Sequence, residues 1–207
     1  MAERCLLIIP PLFDEMNRMR RVLVSVTRLL AMRRFFIVFP DLPGTNESLA
    51  SLADQTMDDW REAMFAASQD CGVTHVASFR GGTLIDDALP EIPHWRLAPV
   101  KGASLLKTMI RTRIAGEKEA GKTVTEAHLM ALAETSPIEL AGNMLGSAMV
   151  AQLAVSEPVM LAQLTERKLG EDITGSPLWL RAEPQDDAEF AADIAADLDR
   201  WSASCAG

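Results

Sequence analysis

Short apolar runs alternate with longer segments of helical period through the first half of the chain. Cys5 to Ile9 is a continuous apolar run and reads as a buried strand, and roughly Arg18 to Met32 places Met19, Val22, Leu23, Val26, Leu29 and Leu30 on one helical face. Phe35 to Phe39 reads as a second strand leading into the turn-rich segment from Pro40 to Ser48. A helix follows over about Thr56 to Asp70, with Trp60, Met64 and Ala67 at helical spacing. Val73 to Phe79 is the third expected strand, with a helix starting near Gly82, and Trp95 to Val100 is the fourth. Strands separated by helices imply βαβ units, right-handed crossovers and a mainly parallel sheet flanked by helices, an α/β fold.

The second half has a different texture. Between Lys101 and Arg167 the pattern is helical with no apolar strand run, apart from a short β stretch at Ile138 to Ala141, where Gly142-Asn143 supplies a turn signal. Strand is expected to return at Pro177 to Ala182. An amphipathic helix closes the chain over about Ala188 to Trp201, with Phe190, Ile194, Leu198 and Trp201 inward. The whole, 1–207, is expected to be one domain, with its core at about 1–100 and 171–207 and a helical cap at about 101–170.

Composition narrows the class of function. The 207 residues, 48% hydrophobic and 24% charged, suit an ordinary globular core. A net charge of −9 lacks the clustered Lys and Arg that release counterions on nucleic acid, so no nucleic-acid partner is expected. The apolar run at Leu6 to Pro10 is too short for a signal sequence or a membrane span. Cys5, Cys71 and Cys205 are odd in number and without C-x-x-C spacing, so they read as reduced thiols in a cytoplasmic protein, and no metal or cofactor is expected.

The third strand carries the most informative residues. Val73 to Leu84 fits the strand-to-helix elbow on which α/β-hydrolases mount their nucleophile, with Ser78 and Gly82 at the two small-residue positions of G-x-S-x-G. Arg80 occupies the nucleophile's place. A guanidinium remains protonated and offers only donors, so it cannot attack a carbonyl. The triad also needs a histidine after the last strand. His75 lies in the elbow strand, His94 before the fourth strand and His128 in the helical insertion, whereas beyond Pro177 only acids follow, among them Glu183, Asp186 and Asp187. Ser78 as a displaced nucleophile would still belong to the strand. Serine-type hydrolysis is therefore not expected.

Two roles are open to Arg80. Its head can pair with a nearby carboxylate from Asp14, Glu15 or Asp41, the common fate of an isolated arginine. Alternatively, the apex projects it over the carboxyl ends of the strands, where open α/β sheets bind ligands, and the N–H groups of Gly81 and Gly82 at a helix N-terminus would join it in gripping a small anion. Pro10 to Asn17 sits where the fold places its oxyanion-hole loop, so Phe13 and Asn17 are candidate ligand-binding residues, although Asn17 also reads as the N-cap of the following helix. Asp41 lies in a segment resembling the D-x-x-G-x-G-x-S loop, with Asn46 at one glycine position. Gly81-Gly82-Thr83 is too short for a phosphate-binding P-loop, and Lys118 to Lys122 reads as a solvated turn.

Several segments resemble the exosortase A system-associated "hydrolase 2" group of α/β-hydrolase-fold proteins, nearly from end to end. They are Ile9 to Arg18, Phe39 to Gly44, the elbow Ser78-Phe79-Arg80-Gly81-Gly82, Ile138 to Gly142 and Pro177 to Pro184. The resemblance implies a trimmed α/β-hydrolase fold with a helical cap, in a bacterial cytosolic accessory protein of exopolysaccharide and protein-sorting loci. Its partner would be a small anionic ligand or a protein of the same pathway. An atypical esterase or thioesterase, and an interaction scaffold using the cap surface, are the other readings.

Overall fold

The computed structural model describes residues 4–205. Five parallel strands form the central sheet in the order β2-β1-β3-β4-β7: β1 Arg4–Ile9, β2 Phe35–Val38, β3 His75–Phe79, β4 His94–Leu97 and β7 Leu164–Arg167. Four of these are the expected apolar runs. Strands β1 and β3 are buried almost throughout because helices cover both faces of the sheet, which is why they read as unbroken hydrophobic stretches.

Helices α1 (Asp14–Met32) and α6 (Ala188–Ser204) pack on one face, over Leu6, Ile8, Ala77, Phe79, Trp95 and Leu97. Opposite them lie α2 (Met57–Cys71), α3 (Gly102–Glu119), α4 (Glu126–Ala133) and α5 (Ser147–Val155). Helix α2 starts at a capping box, in which the Thr56 hydroxyl accepts from Asp59 N and the Asp59 carboxylate accepts from Thr56 N. It ends on Gly72 at φ 63°. Strands β5 (Ile138–Leu140) and β6 (Asn143–Leu145) make the expected short β element, an antiparallel hairpin over the Gly142 turn.

Three expectations need correction. The fifth strand is not Pro177 to Ala182. That segment is apolar because Leu178 and Trp179 are buried in a 3-10 turn packed on α1. The sheet is completed instead by Leu-Thr-Glu-Arg, β7, inside the region expected to be helical. As an edge strand pairing only with β4, β7 keeps polar side chains partly exposed and shows no apolar run. Second, no α-helix starts near Gly82. Two 3-10 turns, Arg80–Leu84 and Asp86–Ala88, occupy the segment, because Asp86 is drawn inward to a buried ion pair with Arg96. Third, Asn17 is not an N-cap: α1 begins at Asp14, and Asn17 lies within its first turns.

Candidate functional site

Strand β3 delivers Arg80 to the carboxyl end of the sheet in a left-handed conformation, φ 51°, which a residue with a Cβ adopts only when its surroundings hold it there. The Thr83 hydroxyl fastens the turn by donating to the Arg80 carbonyl at 2.7 Å. Gly82 allows the turn to sit against the end of β1, since a Cβ there would lie 2.4 Å from Pro10 O and 2.7 Å from Ile9 O. A Cβ on Gly81 would meet Leu105 Cδ1 at 2.7 Å. These glycines serve close packing, and without a helix at this point the N-terminus expected to support an anion is missing.

The Arg80 guanidinium is gripped from within the chain. Nε donates to Glu15 Oε2 at 3.1 Å and one terminal nitrogen to Glu15 Oε1 at 2.9 Å, a two-pronged ion pair, while the other donates to Ala98 O at 3.3 Å. The Trp179 ring covers it, with Arg80 Cζ 4.6 Å from the ring centroid. Side-chain exposures of 16% for Arg80 and 12% for Glu15 leave the pair largely desolvated. Arg18 repeats the theme one turn along α1, pairing with Asp14 and donating to Trp179 O at 2.7 Å. The helix α1 thus holds the apex and the Trp179 turn together.

The elbow-strand serine and the three histidines lie away from the Arg80 apex. Ser78 is fully buried, and its Oγ has no hydrogen-bond partner. His94 is also fully buried, at the amino end of β4, whose carboxyl end at Leu97 pairs with Phe79 beside the apex. Its Nε2 sits 2.8 Å from Leu89 O. His75 is at the amino end of β3 with its ring edge-on to Trp201, and burial, the main cause, pushes its pKa down. His128 is exposed on α4.

The largest buried charged group, Arg96, forks onto Asp86 at 2.8 and 2.7 Å. Burial alone would raise the Asp86 pKa, but the His94 ring, with Nδ1 3.6 Å from Asp86 Oδ2, and the forked hydrogen bonds from Arg96 hold it below the ordinary carboxylate value. Neither Asp86 nor Arg96 stands out in the sequence, because an isolated Arg in a strand and an Asp in a turn carry no spacing signal.

Of the predicted site residues, Arg80, Phe13 and Asn17 line two cavities, and Gly81, Gly82 and Asp41 line neither. The smaller, about 130 Å³, lies at Arg80, Glu15, Arg18 and Trp179. The larger, about 310 Å³, opens between the loops after β1 and β2 and is lined by Asn17. Phe13 borders both and forms the wall between them, held at φ 56°, ψ −131° with its ring 5.4 Å from that of Trp60. Asp41 is exposed and accepts from Asn46 Nδ2 at 2.7 Å and Glu47 N at 3.4 Å within its own loop.

The fold is that of the α/β-hydrolases. Solved structures that resemble it include a protein of Agrobacterium vitis S4 assigned as a hydrolase, at 16% identity over 82% of this chain and 69% of that one with a TM-score of 0.56. Mouse alpha/beta hydrolase domain-containing protein 10 matches over 97% of this chain and 90% of its own, at 12% identity and a TM-score of 0.53. A carboxylesterase of Nitrososphaera gargenis matches over 97% and 79%, at 12% identity and a TM-score of 0.51. No family model matches the sequence, and no curated protein sequence matches it. At these identities the likeness is one of fold alone.

Proposed function

We propose that this chain is a non-catalytic accessory protein on the α/β-hydrolase fold, carrying a structural clasp where such a fold carries its nucleophile. The observation behind this reading is the two-pronged Arg80–Glu15 pair at the apex of the elbow. A permanently protonated guanidinium cannot act as nucleophile or general base. Ser78 is sealed in the core and His94 lies at the far end of its strand, so among the described residues neither the elbow-strand serine nor this histidine reaches the sheet's carboxyl end. These placements argue against the atypical esterase or thioesterase.

An anion could reach the fork only by taking the place of Glu15, since the site that would grip a carboxylate already grips one. The resemblance to the exosortase-associated group supports an accessory role in a bacterial exopolysaccharide or sorting locus. A second reading, contact with a pathway protein through the cap region, is favoured by Val155, Val159 and Met160, which are exposed by 79%, 45% and 82% along one short stretch.

The test is incubation with a fluorophosphonate, which labels activated serines, followed by intact-mass measurement. The proposal expects no adduct; a stoichiometric adduct would overturn it.

A further inference from the structure

The larger cavity has a chemistry different from that of the Arg80 cleft. We propose that it is a binding site for an uncharged small molecule with an apolar body and hydroxyl or amide donors, separate from the clasp and independent of whether the apex is catalytic.

The walls argue against charge. Among the described residues no ionisable side chain lines this cavity, whereas the neighbouring one is bordered by Asp14, Glu15, Arg18 and Arg80. Asp41, in the loop that supplies Leu42 and Asn46 to the wall, is engaged by Asn46 Nδ2 and by Glu47 N. An anion would find no cation to offset its desolvation, and a cation no carboxylate. The apolar lining, from Pro10, Pro40, Leu42, Met16, Leu52 and Met144, suits a hydrocarbon body.

The polar groups on the wall are mostly acceptors. Asn46 gives one of its two amide N–H groups to Asp41, Asn143 gives its own to the Leu140 and Ala141 carbonyls, and the Thr45 hydroxyl donates to Leu42 O at 2.8 Å. Each therefore keeps an oxygen with accepting capacity. Asn17 makes no side-chain hydrogen bond among the described residues and offers both a donor and an acceptor. Three acceptor oxygens and one whole carboxamide, against the one further N–H left on Asn46, favour a ligand that chiefly donates.

The rim is held in conformations that cost energy. Phe13 at φ 56° and Asn46 at φ 47° are left-handed residues with side chains, and Gly44 at φ 82° and Gly142 at φ 79° turn the chain beside them. Such positions cluster at ligand clamps because surrounding structure must fix them. With Phe13 packed on Trp60, and Trp60 Nε1 donating to Pro43 O at 2.8 Å, the floor is preformed.

The test uses four probes of one length, 1,6-hexanediol, hexanamide, hexanoate and hexylammonium, titrated into the full chain while the Asn17 side-chain amide and the Trp60 indole N–H are followed by NMR. Saturable shifts at both reporters are expected with the diol and the amide, and not with the two ions. In Asn17→Leu, whose position is exposed and outside the core, affinity for hexanamide should fall at least fivefold with the amide spectrum otherwise unchanged. Three results would each overturn the proposal. These are no saturable shift with either neutral probe, equal affinity for hexanoate, or shifts confined to the Trp179 indole beside Arg80.

Discussion

Arg80 and Glu15 close on each other across the mouth of the sheet, Nε to Oε2 at 3.1 Å and a terminal nitrogen to Oε1 at 2.9 Å, under the ring of Trp179. Removing one partner of such a desolvated pair leaves the other uncompensated. Arg80→Ala should therefore lose about 2–4 kcal/mol of stability, and Arg80→Lys less, because an ammonium keeps the charge but not the fork. Urea unfolding of the two variants measures this. A loss under about 0.5 kcal/mol in Arg80→Ala, the range of ordinary surface changes, would mean that the pair is not a clasp.

The closeness of the elbow to β1 gives a second expectation. Gly82→Ala must push a methyl group into two backbone carbonyls, at 2.4 and 2.7 Å, whereas the closest contact of Gly81→Ala, at 2.7 Å, is the end of the Leu105 side chain, which can turn away. Gly82→Ala should cost about 2–4 kcal/mol and Gly81→Ala roughly half of that or less. Thermal denaturation of both variants should rank them in this order.

Asp86 and Arg96 beneath the elbow govern behaviour in acid. With the Asp86 pKa held below that of the unfolded chain, its contribution is fully present above about pH 4 and is lost as pH falls through the lower folded value. Asp86→Asn should cost about 3–5 kcal/mol at pH 7, because Arg96 is then buried without its partner. Below pH 4 the variant should lose less further stability than the parent. Chemical denaturation between pH 7 and pH 3 measures both effects.

His75 acts in a higher window. Burial lowers its folded pKa, so the folded chain favours the neutral ring, and this stability is present above about pH 6.5 and lost as pH falls through the folded value. Stability should decline between pH 7 and pH 5, and His75→Gln should flatten that decline. An unchanged slope in the variant would assign the proton uptake to another group.

Much of the architecture was legible because buried parallel strands are largely apolar on both faces, and β1 and β3 stand out for that reason, while β2 is an apolar edge strand with Phe36 half exposed and β4 is marked by Trp95 and Leu97 beside the buried polar His94 and Arg96. Strand β7 escaped notice because an edge strand can be Leu-Thr-Glu-Arg. Pro177 to Ala182 misled because burial of Leu178 and Trp179 against a helix leaves the same apolar signature as burial in a sheet. At the site, the sharp turn at Arg80 after the third strand was legible from its neighbours, and Glu15 was one of three acids within reach of it in the sequence. Its selection over Asp14 and Asp41 depends on α1 starting at Asp14, before the residue that looked like a cap. The part of Trp179 was hidden, since contact over 99 positions of chain leaves no local pattern.

The most direct test of the central claim, a hydrolase fold whose apex is a clasp, is steady-state hydrolysis of a short-chain p-nitrophenyl ester by the purified protein. On the proposed non-catalytic reading, turnover should not exceed the buffer rate and should be unchanged by Ser78→Ala. Turnover well above background that disappears in a folded Ser78→Ala variant would contradict the account.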